Sequence, residues 1–308
     1  MLRLASLNVQ NLGAGEPGWR LRALAEALVQ FLDAPDLICL QEICGSDPPD
    51  AMGRVGASAT LAAIAAAMQA IGGPRYQFLE CPPLPGEQGG KLGAEIRTCL
   101  AYRPERLRPA RLGLATWDDT LPERGPAALG AGVAAFAGDS ERGWVPSRRP
   151  IAAGFEAAGR HLLVLGCHLK SMRAPSPELA SIFQAQRIAQ GRFLGDLAAS
   201  SARAQPETLV VVAGDLNDTP GSATLAAICG DSLADPGAGL SPRRRHTAVH
   251  EKGPVTLDYL LLSRWAAPAA IQRVPHLNTG IAAPVRFSDH DPVLVDLPWP
   301  KPELAVGL

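Results

Sequence analysis

Six separated stretches of this 308-residue chain carry side chains of the types that hold metal ions or move protons. In chain order they contain Asn8, Gln41-Glu42, His168, Gly214-Asp215-Leu216-Asn217, Asp258 and Asp289-His290. Together they supply carboxylates, amides and two imidazoles. Carboxylate oxygens are the ligands that Mg²⁺ and Mn²⁺ prefer, and a His–Asp pair suits proton transfer. The set therefore predicts a site for phosphate chemistry that uses a hard divalent cation.

Each stretch begins or ends a segment with the pattern of a β-strand. Strands are predicted at 2–9, 36–42, 96–102, 151–157, 161–168, 208–213, 256–262 and 293–297. Helical spacing of apolar residues predicts helices at 19–32, 57–71 and 178–197. Interleaved strands and helices indicate a layered α/β fold, in which strand ends and their loops converge on one site.

Composition and charge narrow the class of protein. Hydrophobic residues make up 47% and charged residues 19%, so a large core is available and wholesale disorder is excluded. Lys and Arg total 29 against 30 for Asp and Glu, which excludes a strongly basic coat but leaves room for a local basic cleft. The six cysteines show no C-x-x-C spacing.

No stretch has the length and polarity of an interdomain linker. We therefore expect a single domain over residues 1–299, followed by a short C-terminal tail at 300–308. The first residues resemble a strand and show neither a signal peptide nor a transmembrane helix. The expected location is cytoplasmic, without membrane insertion.

The ordered set of motifs resembles the signature of a known superfamily. The motifs are Ser6-Leu7-Asn8-Val9, Leu40-Gln41-Glu42-Ile43, Cys167-His168-Leu169-Lys170-Ser171, Gly214-Asp215-Leu216-Asn217-Asp218, Leu257-Asp258-Tyr259-Leu260 and Ser288-Asp289-His290-Asp291-Pro292. They are similar to those of the endonuclease/exonuclease/phosphatase superfamily, and the His168 motif is closest to its deoxyribonuclease-like branch. The resemblance implies an α/β four-layer sandwich of two packed mixed β-sheets flanked by helices.

The resemblance also implies the roles of a metal site. Glu42 matches the main metal-ligating carboxylate. Asn8 matches the amide beside it, which touches metal-bound water or phosphate. Asp289 is similar to a further carboxylate of the metal site. The implied cofactor is Mg²⁺, with Mn²⁺ as a possible substitute.

Other positions match catalytic residues of the family. Asp215 and Asn217 resemble the pair that positions the attacking water and a phosphate oxygen. His290 resembles the catalytic histidine, with Asp258 orienting it. His168 resembles the second histidine of the deoxyribonuclease-like branch, a general acid or phosphate donor. Whether His290 or Asp215 takes the proton of the water stays open from the sequence.

Two further residues are assigned on shorter matches. Arg148 lies in Ser147-Arg148-Arg149-Pro150, and the Arg of a similar segment in the deoxyribonuclease-like branch contacts substrate phosphate. Glu95 opens a predicted strand and resembles a supporting carboxylate that pairs with the second histidine.

The function predicted from these observations is a Mg²⁺-dependent phosphodiesterase, an endonuclease- or exonuclease-type hydrolase that acts on nucleic acid. Arginines at 103, 106, 108, 111, 148, 149 and 243–245 are the expected lining of a phosphate-binding groove. The alternatives are a phosphatase or a lipid or small-molecule phosphodiesterase on the same fold, and a non-catalytic binding protein. No protein partner is inferable from the sequence.

Overall fold

The structure is a computed structural model that describes residues 1–51, 53–83, 93–110, 148–280 and 286–299, together with the backbone of Val133–Ala135. Arg111 and the predicted tail at 300–308 lie outside the described residues. Within the described ranges, no helix combines the length and the apolarity that crossing a bilayer requires.

The first β-sheet is mixed and has six strands. Their spatial order is β14 (Ile271–Arg273), β15 (Val293–Leu297), β1 (Leu2–Leu12), β2 (Leu37–Ile43), β4 (Arg97–Tyr102) and β3 (Gln77–Glu80). β1 and β2 run parallel, and the other neighbouring pairs are antiparallel. Strands from the beginning and the end of the described chain therefore lie side by side in this sheet.

The second β-sheet is also mixed and has seven strands. Its order is β10 (Leu233–Ala234), β13 (Asp258–Ser263), β9 (Leu209–Asp215), β8 (Arg160–His168), β7 (Ile151–Ala157) and β5 (Arg108–Pro109), with β6 (Val133–Ala135) also paired to β7. β8 and β9 run parallel. A separate hairpin consists of β11 (Ala248–His250) and β12 (Gly253–Val255).

Five α-helices complete the described part of the fold: α1 (Gly18–Glu26, continued by a π-helical turn at Ala27–Phe31), α2 (Ser58–Ala70), α3 (Pro177–Ala204), α4 (Ala223–Cys229) and α5 (Pro242–Arg245). The start of α3 follows from its sequence. Ser176 caps it by accepting a hydrogen bond from the Leu179 backbone N–H at 3.3 Å, and Pro177 occupies the first turn. It runs seven residues past the predicted end at 197, because the Ala- and Ser-rich stretch that follows contains no breaker.

Alternation along the strands builds three apolar layers. In β9, Val211 faces the other sheet, whereas Val210 and Val212 face α3 and α4. In β1, Leu4 faces the second sheet and Ala5 faces α1 and α2. One core therefore lies between the sheets and one lies under each helix layer. The predicted four-layer α/β sandwich is confirmed.

The arginines at 103, 106 and 108 do not join the predicted groove. Because β4 is antiparallel to β2, the chain after Tyr102 lies at the end of the sheet where β2 begins, away from Glu42. There Arg106 pairs with Asp36, and the other two pair with glutamates.

Candidate active site

The predicted site residues lie at strand ends that the sheet topology brings to one place. In the first sheet, the parallel register of β1 and β2 pairs Asn8 with Gln41, one residue before Glu42. In the second sheet, β8 and β9 pair His168 with Asp215, and the antiparallel β13 pairs Asp258 with Asp215. Each sheet thus contributes part of the site.

Irregular backbone marks the site side of the first sheet. The β1–β2 register shifts between Asn8 and Leu12, and the β2–β4 register shifts between Leu40 and Ile43. Glu42 has a positive φ of 64°, a conformation that side-chain-bearing residues seldom adopt. Bulges of this kind redirect a side chain at the edge of pairing, and strain of this kind clusters at functional sites. Here they turn the Glu42 carboxylate toward the second sheet.

One amide joins the two central carboxylates. The Asn8 Nδ2 group donates to Glu42 Oε1 at 3.2 Å and to Asp215 Oδ2 at 3.1 Å. Its Oδ1 accepts from the Gln10 backbone N–H at 2.9 Å, which fixes the orientation of the amide. Glu42 Oε2 accepts from the Asn11 backbone N–H at 2.9 Å. Both carboxylates contact the same nitrogen, so they are close enough to share one cation.

His168 lies beside both carboxylates. Its Nε2 is 3.4 Å from Asp215 Oδ2 and 3.9 Å from Glu42 Oε1. Burial lowers the pKa of His168 well below its usual value, and the nearby Arg148 charge lowers it further. The His168 ring is therefore neutral in the free protein. A general acid would have to be protonated, so the structure of the free protein does not show His168 in that form.

The expected pairing of Glu95 with His168 is not formed. The Nδ1 atom of His168 is buried and has no hydrogen-bond partner among the described residues. The structure shows the backbone carbonyl of Glu95 accepting from Arg97 at 2.8 Å. Glu95 precedes β4 on the first sheet with a positive φ of 47°, whereas His168 ends a strand of the second sheet.

His290 and Asp258 form the predicted pair. His290 Nδ1 is 2.7 Å from Asp258 Oδ2, and both side chains are buried. Burial alone would lower the pKa of His290, but the charge and hydrogen bond of Asp258 raise it to about 10. The backbone N–H of His290 donates to Ser288 Oγ at 3.2 Å, and Ser288 Oγ donates to the Asn8 carbonyl at 2.6 Å. This chain of bonds ties His290 to the first sheet.

Asp215 lies at the centre of the cluster. Side-chain ligand atoms of Asp215, Asp258 and His290 all lie within 4.8 Å of one another. Burial raises the pKa of Asp215, and the neighbouring Asp258 charge raises it further. His290 opposes this shift. Asp215 is therefore a carboxylate that burial separates from water and that Asp258 repels.

Arg148 and Asn217 meet at one backbone carbonyl. The Leu169 oxygen accepts from Asn217 Nδ2 at 3.1 Å and from Arg148 Nη2. Burial lowers the pKa of Arg148, while the charges of Asp215 and Glu42 act in the opposite direction. The Arg148 Nε is buried without a hydrogen-bond partner in the described part of the chain. A buried guanidinium with a free donor beside this cluster is suited to an anion such as phosphate.

Asp289 is not brought into the cluster. Its side chain is exposed, and it has no hydrogen bond or ion pair with the described residues. It acts on His290 through its charge. Its role as a metal ligand stays a prediction.

Sequence reasoning missed the residues that hold the His290 segment. Asn278 Nδ2 donates to the His290 carbonyl at 2.6 Å, and the Asn278 backbone N–H donates to Asp291 Oδ1 at 2.7 Å. Thr247 Oγ1 accepts from the Asp258 backbone N–H at 3.2 Å, and the Thr247 carbonyl accepts from the Asp291 backbone N–H at 2.6 Å. These residues carry no motif of their own. Only the folded structure reveals these residues, because it places them next to Ser288-Asp289-His290-Asp291.

A second polar cluster braces the same segment. The His246 and His276 rings stack with centroids 4.1 Å apart and an interplanar angle of 13°. His276 Nδ1 is 3.0 Å from Asp291 Oδ2, and His246 Nε2 is 3.3 Å from Thr279 Oγ1. Both remaining ring nitrogens contact the Arg243 carbonyl. All four ring nitrogens therefore already have a hydrogen-bond partner among the described residues.

The donor set of the first cluster fits a hard divalent cation. Glu42 and Asp215 present carboxylate oxygens on either side of the Asn8 amide, and the buried Asp258 Oδ1 has no partner among the described residues. Oxygen ligands of this kind suit Mg²⁺ or Mn²⁺. Burial and the Asp258 charge raise the pKa of Asp215, and a cation bound to its carboxylate would offset both effects.

We expect Gly214→Ala to disrupt both fold and site. Gly214 has a φ of 151°, and a Cβ there would lie 1.8 Å from the Cys167 carbonyl oxygen on the neighbouring strand. The clash separates β8 from β9 next to His168 and Asp215, so the free energy of unfolding should fall by about 3 kcal/mol or more. Urea denaturation measures the change. Gly239→Ala is the control, because nothing lies within 4 Å of its Cβ position. Equal stability of the two variants would contradict the expectation.

A sandwich of two mixed sheets, with carboxylates, an amide and histidines at their shared end, is the architecture of a class of phosphoric ester hydrolases. The family profile described as "Endonuclease/Exonuclease/phosphatase family" matches residues 5–290. The chain belongs to this family, and the resemblance seen in the sequence is confirmed.

Solved structures share this fold. Humanized TDP2 from D. rerio is 18% identical, with 97% of this chain and 99% of that chain covered and a TM-score of 0.60. A family protein from Leptotrichia buccalis is 14% identical, with 97% and 100% covered and a TM-score of 0.62. The human nocturnin catalytic domain, solved with a bound sulfate anion, is 18% identical, with 96% and 94% covered and a TM-score of 0.58. A search of curated proteins finds no significant match to this sequence.

Proposed function

We propose that the protein is a Mg²⁺-dependent phosphodiesterase that cleaves nucleic acid. The observation that carries the proposal is the contact of two carboxylates, Glu42 and Asp215, with one amide nitrogen of Asn8, next to His168. Support for the substrate class comes from the D. rerio TDP2 neighbour, which was solved with a single-strand DNA product. Reducing conditions and a cytoplasmic location are compatible with this proposal, since none of the six cysteines, all within the described residues, forms a disulfide bond.

Glu42 and Asp215 would hold the cation through their carboxylate oxygens, with the Asn8 amide beside them and Asp289 as a proposed further ligand. When bound, Mg²⁺ supplies electrostatic stabilisation of the phosphate and of the leaving oxygen. The charge of the Arg148 guanidinium, which lies beside the carboxylates, attracts a non-bridging phosphate oxygen. A buried guanidinium is effective here because the surrounding low dielectric strengthens the charge–charge attraction.

The attacking water is oriented by Asp215 and Asn217. The Asn217 backbone N–H donates to Asp215 Oδ1 at 2.9 Å, which fixes the carboxylate relative to the Asn217 side chain. A raised pKa makes Asp215 a suitable acceptor for the proton of the water near neutral pH.

His290 acts beside Asp215. With a pKa of about 10 in the free protein, its ring carries a proton and can donate to a phosphate oxygen in the transition state. Asp258 holds that ring in one orientation. The neutral His168 gains basicity when a phosphate anion binds beside it, and from there it can assist the leaving oxygen.

We expect hydrolysis of a phosphodiester to be faster than hydrolysis of the matched monoester. A monoester dianion brings an extra charge that needs additional cations once water is excluded. In the described part of the site Arg148 faces the carboxylates, whereas the Lys170 ammonium lies 3.9 Å from the centre of the Phe183 ring. The measurement is kcat/KM for bis-p-nitrophenyl phosphate and p-nitrophenyl phosphate at saturating Mg²⁺.

The function itself is tested by nicking of supercoiled plasmid in Mg²⁺, Mn²⁺ or EDTA, over a range of salt concentrations. A nuclease that binds the backbone should nick with either metal, stop in EDTA and weaken steeply as salt rises. Faster monoester hydrolysis without nicking would assign the chain to the phosphatase members of the family. Release from a phospholipid without nicking would assign it to lipid substrates. Inactivity on every substrate would support a binding protein.

A further inference from the structure

A polar face of α3 lies directly behind the candidate active site. Gln184, Arg187 and Gln190 follow one another at three-residue spacing, so they share one face of the helix. Arg187 is 3% exposed and Gln190 is fully buried, although the next turns of α3 bury Phe193 and Leu194 against the second sheet. Burying a guanidinium is costly unless its donors are satisfied. The hydrogen-bond partners of these three side chains therefore indicate the structural role of this face of α3.

Arg187 holds the loop that follows His168. Its Nη1 donates to the Lys170 carbonyl at 3.3 Å and to the Ser171 carbonyl at 3.1 Å. Gln190 Oε1 accepts from the Lys170 backbone N–H at 2.9 Å. Both backbone groups of Lys170, two residues after His168, are thus bonded to α3.

The same guanidinium also holds the loop that follows Asp215. Arg187 Nε donates to Asp218 Oδ2 at 3.3 Å, and Asp218 comes directly after Asn217. That carboxylate oxygen also accepts from Thr224 Oγ1 at 2.7 Å and from Gln184 Nε2 at 3.0 Å. Burial alone would raise the pKa of Asp218, but these hydrogen bonds and the Arg187 charge lower it, so the Asp218 carboxylate is ionised.

We propose that Arg187 is a positioning residue that sets His168 against Asp215 and Asn217 by bonding the loops that follow β8 and β9 to a single guanidinium. The proposal rests on the proposed function, since it assigns a role within that active site. Arg187 touches none of the predicted reacting groups. It acts through the backbone of residues 170–171 and through Asp218. The Leu169 carbonyl accepts hydrogen bonds from Asn217 and Arg148, and Leu169 lies in the chain between His168 and residues 170–171.

Arginine is suited to this role and lysine is not. A guanidinium presents five donors in one plane, so it can bond two carbonyls and a carboxylate together. A lysine at 187 keeps the charge opposite Asp218, but its single nitrogen cannot reach all three acceptors in the same geometry. Arg187→Lys therefore changes the loop positions while it leaves the buried charge paired.

The test compares Arg187→Lys with Arg3→Lys on bis-p-nitrophenyl phosphate. Arg3 is the control because its guanidinium also joins separate segments, by ion pairs with Asp296 at 2.6 Å and with Asp33, at the opposite end of β1 from Asn8. We expect Arg187→Lys to lower kcat by about 10- to 100-fold with a smaller change in KM, since a displacement of about 1 Å in a catalytic group costs up to that much. Arg3→Lys should change kcat little, and the melting temperature of each variant should be recorded alongside kcat.

Two further measurements distinguish failure of the positioning role from failure of the proposed function. In ¹⁵N-histidine NMR spectra, the ring resonances of His168 should shift in Arg187→Lys and stay in place in Arg3→Lys, whether or not turnover is observed. If Arg187→Lys does not fold, Gln190→Met removes one loop bond without an unpaired charge and should lower kcat several-fold. The positioning role would be overturned if the wild type is active and folded Arg187→Lys keeps a normal kcat. It would also be overturned if the His168 resonances do not shift in Arg187→Lys. A wild type inactive on all phosphodiesters would instead overturn the proposed function.

Discussion

His290→Ala should lower kcat for phosphodiester hydrolysis by about 10²–10⁴-fold, the range typical for loss of an acid–base group. The physical reason is the 2.7 Å contact between His290 Nδ1 and Asp258 Oδ2, which gives the ring one orientation and a raised pKa. Without the imidazole, the transition state loses a charged donor. Turnover of bis-p-nitrophenyl phosphate at saturating Mg²⁺ measures the effect.

The control for this variant is His161→Ala. His161 lies in β8, the strand that ends at His168, but it is exposed at the opposite end. We expect His161→Ala to keep wild-type kcat. Circular dichroism should show that His290→Ala stays folded, although it leaves Asp258 without its partner. Near-normal turnover in folded His290→Ala would exclude the ring from the mechanism.

Glu42→Gln should remove both the metal dependence and most of the rate. The substitution keeps the shape of the side chain but loses the negative charge that faces Asp215 across the Asn8 amide. We expect kcat to fall by about 10²-fold or more, as it does when a single preorganised electrostatic group is removed. Isothermal titration with Mg²⁺ or Mn²⁺ gives a readout that does not depend on turnover, and the affinity should fall as well.

Glu105→Gln provides the comparison for Glu42→Gln. Glu105 pairs with Arg103 beyond the end of β4, far from the site, so its loss should change neither metal affinity nor rate. Unchanged Mg²⁺ affinity in Glu42→Gln would show that the cation lies elsewhere. In that case the acidic residues around Asp258 would be the next set to substitute.

The central strands could be predicted because their patterns are local. The apolar run predicted as a strand at 36–42 appears as Leu37–Ile43, and the strand predicted at 208–213 appears as Leu209–Asp215. The hairpin of β11 and β12 was missed, since exposed residues such as Val249 and His250 give it no buried face. Its position depends on pairing of Ala248 with His290, which is a tertiary contact.

The residues of the candidate site also differ in whether local sequence can predict them. Asn8, Glu42 and His290 could be proposed from sequence because each lies in a short motif at a strand end. Arg187 and Asn278 could not, since each acts by bonding to backbone from an element distant in the chain. Glu95 was predicted to pair with His168 because it opens a predicted strand. The distance between the ends of two strands on different sheets, however, cannot be predicted from the local sequence of either strand.

The division of the site between the two sheets links its chemistry to the packing of the core. Asn8 and Glu42 belong to the first sheet, while His168, Asp215 and Asp258 belong to the second. A compact, molten form could keep its strands and still lose the fixed contact between the sheets. In such a form the carboxylates would no longer face each other. Hydrolysis would then vanish while far-ultraviolet circular dichroism stayed near native, so turnover would report on the docking of the sheets during refolding.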